Sequence, residues 1–138
     1  MTKSNHFKPT LFLDRDGVLN EDAGYTHKIE DLVILDSVPQ TLAHFKKLGF
    51  LLIVITNQSG VARGMYGLDD VNRFNKALDD AIFLAAGVRI DGFYVSPYHL
   101  DGTVPEFSIA HPDRKPGIGL IEKARKDFDI DMDRSFFI

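Results

Sequence analysis

The hydrophobic positions of this chain change their spacing several times along its length. Continuous apolar runs, of the kind found in strands covered on both sides, occupy four segments: 10–13, 50–55, 93–96 and 135–138. Apolar residues repeat every three or four positions, as on one face of a helix, in three others: 39–48, 68–86 and 117–128. This alternation predicts an α/β fold in which helices cover both faces of a doubly wound parallel sheet.

Composition and charge narrow the kind of protein further. The 138 residues, 44% of them hydrophobic, suffice for one buried core, so we expect a single domain over 1–138. The net charge of -4 provides no basic surface for nucleic acid or for an anionic membrane. There is no cysteine, no signal-peptide pattern and no apolar run of membrane-spanning length. We expect a cytoplasmic monomer without nucleic-acid or membrane partners.

Two carboxylates directly follow the first predicted strand. Asp14 and Asp16 stand two positions apart in TLFLDRDGVLN, so in an extended chain both side chains lean to the same side. Neighbouring acids repel each other, and a hard divalent cation with oxygen ligands, such as Mg²⁺, relieves that repulsion. Acids spaced in this way before a glycine also fit an ordinary solvated turn.

Polar and basic residues occur at corresponding places further along the chain. Thr56 closes the second strand in ITNQSG, where hydroxyl groups, an amide and a glycine can form a phosphate cradle. Arg114 and Lys115, in DRKPG, precede the third predicted helix and carry the charges that bind phosphate oxygens. Each segment alone also fits a turn or a solvated surface.

The combination of these segments carries more weight than any one of them. Ligands of doubly wound sheets bind beyond the carboxyl ends of the strands, where Asp14, Thr56 and Ser96 are predicted to lie. Phosphoryl transfer requires a nucleophile, a cation, a group that binds the oxyanion and a charge that balances it. The acid pair, the hydroxyl and the lysine supply these groups, so the pattern predicts one phosphoryl-transfer site.

The same segments resemble the haloacid dehalogenase (HAD) superfamily of phosphatases. FLDRDGVLN is similar to the first motif of that superfamily, VITNQSG to the second and RKPG to the third. GYTHKIEDLVILDSV, TNQSGVARGMYG and DGTVPEF are similar to its branch of D-glycero-D-manno-heptose 1,7-bisphosphate 7-phosphatases, which is akin to histidinol-phosphatase. The resemblance extends from about Leu11 to Ile138.

The resemblance implies a role for each matching residue. Asp14 would be the nucleophile that forms an aspartyl-phosphate, and Asp16 would protonate the leaving sugar oxygen and then activate water. The side chain of Asp14 and the backbone carbonyl of Asp16 would bind Mg²⁺, while Thr56 and Lys115 would stabilise the transferring phosphoryl group. Seven further matches would line the phosphate pocket or contact the substrate: Asp22, Gly24, Tyr25, Asn57, Gln58, Ser59 and Arg114.

Members of this branch lack a separate cap domain, and no insert here is long enough to form one. Loops must then recognise the sugar, and we therefore add Arg63 to the expected substrate-binding residues. The implied substrate is D-glycero-D-manno-heptose 1,7-bisphosphate, hydrolysed at its 7-phosphate on the way to a lipopolysaccharide precursor.

Two features depart from the pattern of the branch. Members often hold a structural zinc ion at four positions that read here Ser96, Tyr98, His111 and Asp113, so we expect no zinc. Members also continue beyond the fourth strand with acids that complete the Mg²⁺ site. We therefore expect the 138-residue chain to bind Mg²⁺ weakly and to turn over slowly, and to be either a fragment that lacks the fourth motif or the ordered part of a longer protein.

Two alternative functions remain at this point. Histidinol phosphate or another small phosphomonoester would be hydrolysed by the same groups. A phospho-acceptor signalling module also combines aspartates, Mg²⁺, a hydroxyl residue and a lysine on such a sheet. The acceptor acid of that module follows the third strand, however, and FYVSPYH carries no acid there.

Overall fold

The computed structural model describes residues 6–138. Its main elements in chain order are β1 (Thr10–Leu13), α1 (Val38–Lys47), β2 (Leu51–Asn57), α2 (Leu68–Ala86), β3 (Gly92–Ser96), α3 (Gly119–Asp127) and β4 (Phe136–Phe137). Three 3-10 turns lie between them, at Ile29–Asp31, Pro105–Phe107 and Met132–Arg134. Each strand and helix that the hydrophobic spacing predicted is present, with small shifts at the ends.

The strands form one parallel sheet in the order β3-β2-β1-β4. Because all strands run in the same direction, the carboxyl ends of β1, β2 and β3 lie at the same edge of the sheet. The chain reverses its direction of growth across the sheet at β1, and such switch points are where doubly wound sheets bind ligands. The predicted fold class is confirmed, and it places Asp14 and Thr56 at this edge.

Helices cover both faces of the sheet, as the continuous apolar strands require. Leu11 and Leu13 of β1 belong to the same buried cluster as Leu78 of α2. Phe12, between them, belongs to a second cluster that includes Leu120 of α3. Alternate residues of β1 are therefore buried against different helices, so the strand shows no polar face.

Local hydrogen bonds explain where the helices begin and end. The backbone N–H of Gly67 donates to the Asp70 carboxylate at 2.9 Å, which fixes the start of α2. Gly87 ends that helix with φ +69°, a conformation that glycine adopts at little cost. The start of α3 was predicted too early, at Gly117, because the N–H of that residue closes a turn onto the Arg114 carbonyl at 2.8 Å.

Long connections at the carboxyl edge of the sheet carry most of the expected site residues. Segment 14–37 contains one 3-10 turn and segment 97–118 another, and neither forms a separate cap within the described part of the chain. Among residues 6–138, no helix combines the length and the apolar character that crossing a membrane would require.

Candidate active site

Asp14 and Lys115 meet at the carboxyl edge of the sheet although 101 positions separate them. The Lys115 Nζ donates to Asp14 Oδ1 at 3.0 Å and to the Ile55 carbonyl of β2 at 2.9 Å. The backbone N–H of Arg15 donates to the same Asp14 oxygen at 3.0 Å. The structure thus joins the first and third motifs around a single carboxylate.

The second carboxylate oxygen of Asp14 is open. No group within residues 6–138 donates a hydrogen bond to Oδ2, and 45% of the side chain is exposed. The two donors hold the other oxygen and so fix the orientation of the carboxylate. Asp14 Oδ2 therefore has the freedom that an attacking nucleophile or a metal ligand needs.

Thr56 is the last residue but one of β2, and 1% of its surface is exposed. Its hydroxyl oxygen accepts a hydrogen bond from Gln58 Nε2 at 2.8 Å. Since the oxygen is occupied as an acceptor, its own proton is available for donation to a phosphate oxygen. This arrangement suits the predicted role of Thr56.

Gln58 occupies a different place from the one predicted for a substrate contact. Its side chain is buried, and Nε2 also donates to Asp16 Oδ2 at 3.0 Å. The Tyr66 hydroxyl donates to Gln58 Oε1 at 2.8 Å. Burial is the main reason that the pKa of Tyr66 rises to about 12, so the hydroxyl keeps its proton and fixes the amide orientation. Gln58 supports Thr56 and Asp16 from behind.

Asn57 and Ser59 contact the backbone of residues that form the site. Asn57 Oδ1 accepts from the Lys115 N–H at 3.0 Å, and Asn57 Nδ2 donates to the Lys115 carbonyl at 3.4 Å. These two bonds hold the lysine backbone against the end of β2. Ser59 lies in the following turn, where its carbonyl accepts from the Arg63 N–H at 3.1 Å.

Asp16 is held by donors on both of its oxygens. Oδ1 accepts from Arg15 Nε at 3.0 Å, Arg15 Nη2 at 2.9 Å and Asn20 Nδ2 at 3.0 Å. Arg15, which is fully buried, was not among the predicted site residues. The sequence does indicate this burial: side chains alternate sides along an extended chain, so a residue between two acids that face the site points to the interior.

The expected substrate residues of the first loop form an exposed turn. The Gly24 N–H donates to Asp22 Oδ1 at 3.0 Å, and Gly24 and Tyr25 both have positive φ, +80° and 52°. Positive φ is uncommon for a tyrosine and occurs where surrounding structure holds the backbone. The Arg63 guanidinium lies 6.0 Å from the centre of the Tyr25 ring, so two distant loops meet here.

A cleft of about 290 Å³ next to Lys115 is lined by Arg114 and His99, among others. Arg114 Nη1 donates to the Tyr98 carbonyl at 3.3 Å, and Arg63 Nη2 lies 3.4 Å from His99 Nε2. Of the two arginines expected to bind substrate, Arg114 therefore lines the cleft beside Lys115, and Arg63 contacts the cleft residue His99. His99 was missed, and its position in the loop PYHLDG gave no signal.

Three of the four residues at the positions considered for zinc, Tyr98, His111 and Asp113, are engaged in other contacts, and the buried Ser96 Oγ has no hydrogen-bond partner among the described residues. Tyr98 stacks on His111 with ring centres 3.9 Å apart, and His111 Nδ1 accepts from the Asp113 N–H at 3.0 Å. The buried carboxylate of Asp113 forms an ion pair with Lys123. A tyrosine, a serine and a committed carboxylate do not make a tetrahedral zinc set. These residues do not fit zinc, and its absence from the protein stays a prediction.

The oxygen ligands that the site offers do fit Mg²⁺. Residues 6–138 contain no cluster of three or more acids or histidines that would form an all-protein metal cage. Mg²⁺ seldom uses such a cage, because it retains water and binds through one or two carboxylates and the substrate phosphate. The open oxygen of Asp14 is one such carboxylate ligand, and the backbone carbonyl of Asp16 is the second ligand that the family resemblance implies.

Comparison with known sequences shows which protein family this chain resembles. A family model described as polynucleotide kinase 3 phosphatase matches residues 12–138. The D-glycero-beta-D-manno-heptose-1,7-bisphosphate 7-phosphatase of Yersinia pestis is 39% identical over 130 residues, which cover 94% of this chain and 69% of that protein. The D-glycero-alpha-D-manno-heptose-1,7-bisphosphate 7-phosphatase of Burkholderia mallei is 41% identical over 128 residues, covering 93% and 67%.

Two solved structures share the fold. A HAD-like phosphatase from Mesorhizobium loti superposes with a TM-score of 0.89 at 33% identity, covering 95% of this chain and 62% of that one. The D,D-heptose 1,7-bisphosphate phosphatase of B. bronchiseptica, complexed with magnesium and phosphate, gives a TM-score of 0.75 at 25% identity, covering 89% and 65%. The chain thus spans just under two thirds of each of these structures.

The fold, the aspartate and lysine of the site and these similarities agree on one class of protein. The chain belongs to the family of HAD-like phosphatases, as the motifs predicted. Within that family, the relatives from Y. pestis and B. mallei are heptose 1,7-bisphosphate 7-phosphatases, which confirms the predicted branch.

Proposed function

We propose that this protein hydrolyses the 7-phosphate of D-glycero-D-manno-heptose 1,7-bisphosphate, using Mg²⁺ and an aspartyl-phosphate on Asp14. The observation that carries the proposal is the contact of 3.0 Å between Lys115 Nζ and Asp14 Oδ1, which leaves Oδ2 of the carboxylate open. The names of the relatives support the choice of substrate. The product would be a cytoplasmic precursor for lipopolysaccharide.

Phosphate binding falls to two donors at the carboxyl edge of the sheet. The Thr56 hydroxyl and the Lys115 ammonium both donate, and neither has to reorganise when charge develops on the phosphoryl oxygens. When bound by Asp14 and the Asp16 carbonyl, Mg²⁺ would neutralise the repulsion between the substrate phosphate and the carboxylate. Four donors on Asp16 and three contacts on Asp14 and Lys115 keep these groups in place before the substrate arrives.

In the first half of the reaction, Asp14 Oδ2 attacks phosphorus and forms the aspartyl-phosphate. The bond between phosphorus and the sugar oxygen breaks, and Asp16 delivers a proton to that oxygen, so the sugar leaves as an alcohol. Lys115 balances the charge that Asp14 and the phosphoryl group bring together.

In the second half, water attacks the phosphorus of the aspartyl-phosphate. Asp16, now ionised, takes a proton from that water, and the bond from phosphorus to Asp14 Oδ2 breaks. Inorganic phosphate forms, and Asp14 is regenerated as a carboxylate. Asp16 gives one proton in the first half and receives one in the second, so the enzyme ends the cycle in its starting protonation state.

Recognition of a bisphosphate fits the arginines beside Lys115. Arg114 lines the cleft beside Lys115, and Arg63 contacts the cleft residue His99, so their charges would hold the second phosphate of the sugar. A monophosphate would leave these two cations without an anionic partner. The geometry therefore favours a substrate with two separated anionic groups.

A phosphate-release assay on a panel of substrates tests the proposal. The panel contains both anomers of heptose 1,7-bisphosphate, histidinol phosphate and an oligonucleotide with a 3′-phosphate, each with and without Mg²⁺. We expect the highest kcat/KM on a heptose bisphosphate, with no release by Asp14→Asn. A higher kcat/KM on histidinol phosphate or the oligonucleotide would reassign the substrate, and release without Mg²⁺ would reject the metal.

A further inference from the structure

Arg15 heads the fully buried side chains of the described residues by volume, and it has no place in phosphate binding. Burying a guanidinium is costly unless its charge is paired and its N–H groups find acceptors. Arg15 lies between the two acids of the site. Its hydrogen-bond partners show what its burial achieves.

Each partner of Arg15 comes from a different part of the chain. Nε and Nη2 both donate to Asp16 Oδ1, at 3.0 and 2.9 Å. Nη1 donates to Asn75 Oδ1 of α2 at 3.1 Å, and Nη2 donates to the Thr26 carbonyl at 2.7 Å. The guanidinium carbon also lies 4.4 Å from the centre of the Phe74 ring. The side chain is held in one orientation from three directions.

The two oxygens of Asp16 are consequently unequal. Three N–H donors, two from Arg15 and one from Asn20, converge on Oδ1. A carboxylate oxygen offers two lone pairs, so Oδ1 is saturated and has no room for a proton. Oδ2 accepts only from Gln58 Nε2, at 3.0 Å, within the described residues, and retains one open lone pair.

We propose that Arg15 is a positioning residue that locks Asp16 Oδ1, so that Oδ2 carries the proton exchanged with the substrate. The inference rests on the proposed phosphatase function, in which Asp16 protonates the leaving oxygen. Arg15 itself touches neither the substrate nor the reacting atoms. It sets the rotation of the carboxylate and therefore the direction in which Oδ2 points.

The polar residue on α2 supports this role. Asn75 is 4% exposed and stands on the face of the helix that buries Val71, Phe74 and Leu78. An asparagine there is costly unless it meets a polar partner, and its Oδ1 meets Arg15. Through the Thr26 carbonyl, the same guanidinium is bonded to the loop that carries Tyr25. Arg15 thus ties Asp16 to a rigid helix and to the exposed turn.

Replacement of Arg15 by methionine tests the proposal, with Arg125→Met on the exposed face of α3 as the matched control. Rates are measured on 4-nitrophenyl phosphate, whose leaving group needs no proton, and on phenyl phosphate and the sugar bisphosphate, whose leaving groups do. A misplacement of about 1 Å costs about a hundredfold in rate. We expect kcat of Arg15→Met to fall about tenfold to a hundredfold on the two poor leaving groups and less than about threefold on the nitrophenyl ester.

A merely structural role for Arg15 would lower all three rates by the same factor, and that result would overturn the proposal. Unchanged rates on every substrate would overturn it as well. If Arg15→Met does not fold, Arg15→Lys and Asn75→Leu, which loosen the same contacts, must show the same dependence on the leaving group.

A second measurement separates this proposal from the proposed function. In ¹H–¹⁵N spectra, the Arg15 Nε–H should exchange slowly with water, and its signal should move in Asp16→Ala but not in the Arg125→Met control. Failure of the unmodified protein to hydrolyse any substrate would reject the phosphatase function while this signal still reports on the lock. Fast exchange of Nε–H in an active enzyme would reject the lock alone.

Discussion

Tyr66→Phe removes one oxygen atom from behind the phosphate site. The Tyr66 hydroxyl donates to Gln58 Oε1 at 2.8 Å, and Gln58 in turn donates to Thr56 and Asp16. Phenylalanine keeps the ring that stacks on His27, with centres 4.3 Å apart. The substitution therefore deletes the hydrogen bond to Gln58 and the contact of the hydroxyl with the Gly60 backbone N–H, and it keeps the packing of the ring.

The cost follows from the burial of Gln58, which is 2% exposed. Without Tyr66, its Oε1 is a buried acceptor with no partner, a loss of about 1–3 kcal/mol in the free energy of unfolding. For a chain of this size that corresponds to a fall in Tm of roughly 3–10 °C. The freed amide also stops orienting Thr56 and Asp16, and a loss of about 1 kcal/mol there lowers kcat roughly fivefold.

Urea unfolding at neutral pH measures the stability of the variant against Tyr94→Phe as a control. The Tyr94 hydroxyl also donates a hydrogen bond, in its case to a carboxylate, Asp127 Oδ2 at 2.5 Å, but that bond is exposed to solvent. Losing it should change the free energy of unfolding by less than about 1 kcal/mol, because water replaces the partner. Equal destabilisation by the two substitutions, or an unchanged stability of Tyr66→Phe, would refute the reasoning.

The pKa of Tyr66 gives the same substitution a signature in pH. Burial raises this pKa from 10.0 to about 12, so the folded protein keeps a proton that the unfolded chain releases. The stabilisation is complete below pH 10 and is lost as the pH rises from 10 towards 12. The difference in unfolding free energy between the wild type and Tyr66→Phe should therefore shrink over that interval. A constant difference across it would contradict the assignment.

Three further outcomes are expected. Arg114→Ala should reduce kcat/KM more on the sugar bisphosphate than on 4-nitrophenyl phosphate, and equal losses would exclude it from binding the remote phosphate. Asp16→Asn should still phosphorylate Asp14 but turn over about two to four powers of ten more slowly, and a wild-type rate would remove Asp16 from proton transfer. Elemental analysis should find no stoichiometric zinc, because Tyr98 and His111 stack on each other, and zinc that survives mild chelation would contradict this.

Much of the fold could be predicted because the spacing of apolar residues indicates which positions are buried. The first five residues of β2 are an uninterrupted apolar run, and six of its seven residues are buried. The start of α3 could not be read in the same way. Gly117 and Gly119 pack against the Pro112 backbone, and such a contact leaves no trace in hydrophobic periodicity.

The site was predictable only where topology brings residues together. Asp14 and Thr56 end neighbouring strands, so a parallel sheet alone makes them neighbours. The bond between Arg15 and Asn75 joins positions 60 residues apart and depends on how α2 packs. Asn75 is a polar residue on the apolar face of α2, and such a position indicates a buried polar partner. The chain gives no comparable signal for the contact between Arg63 and His99.

Detection of a phosphoryl group on Asp14 tests the central claim most directly. The unmodified protein is mixed with Mg²⁺ and heptose 1,7-bisphosphate, quenched in acid during turnover and digested, and the peptide that contains Asp14 is examined by mass spectrometry. We expect a phosphate mass on Asp14 that disappears when the substrate is exhausted, and neither the modification nor turnover in Asp14→Asn. Turnover at a near-normal rate in Asp14→Asn, or a phosphate on any other residue, would contradict the account.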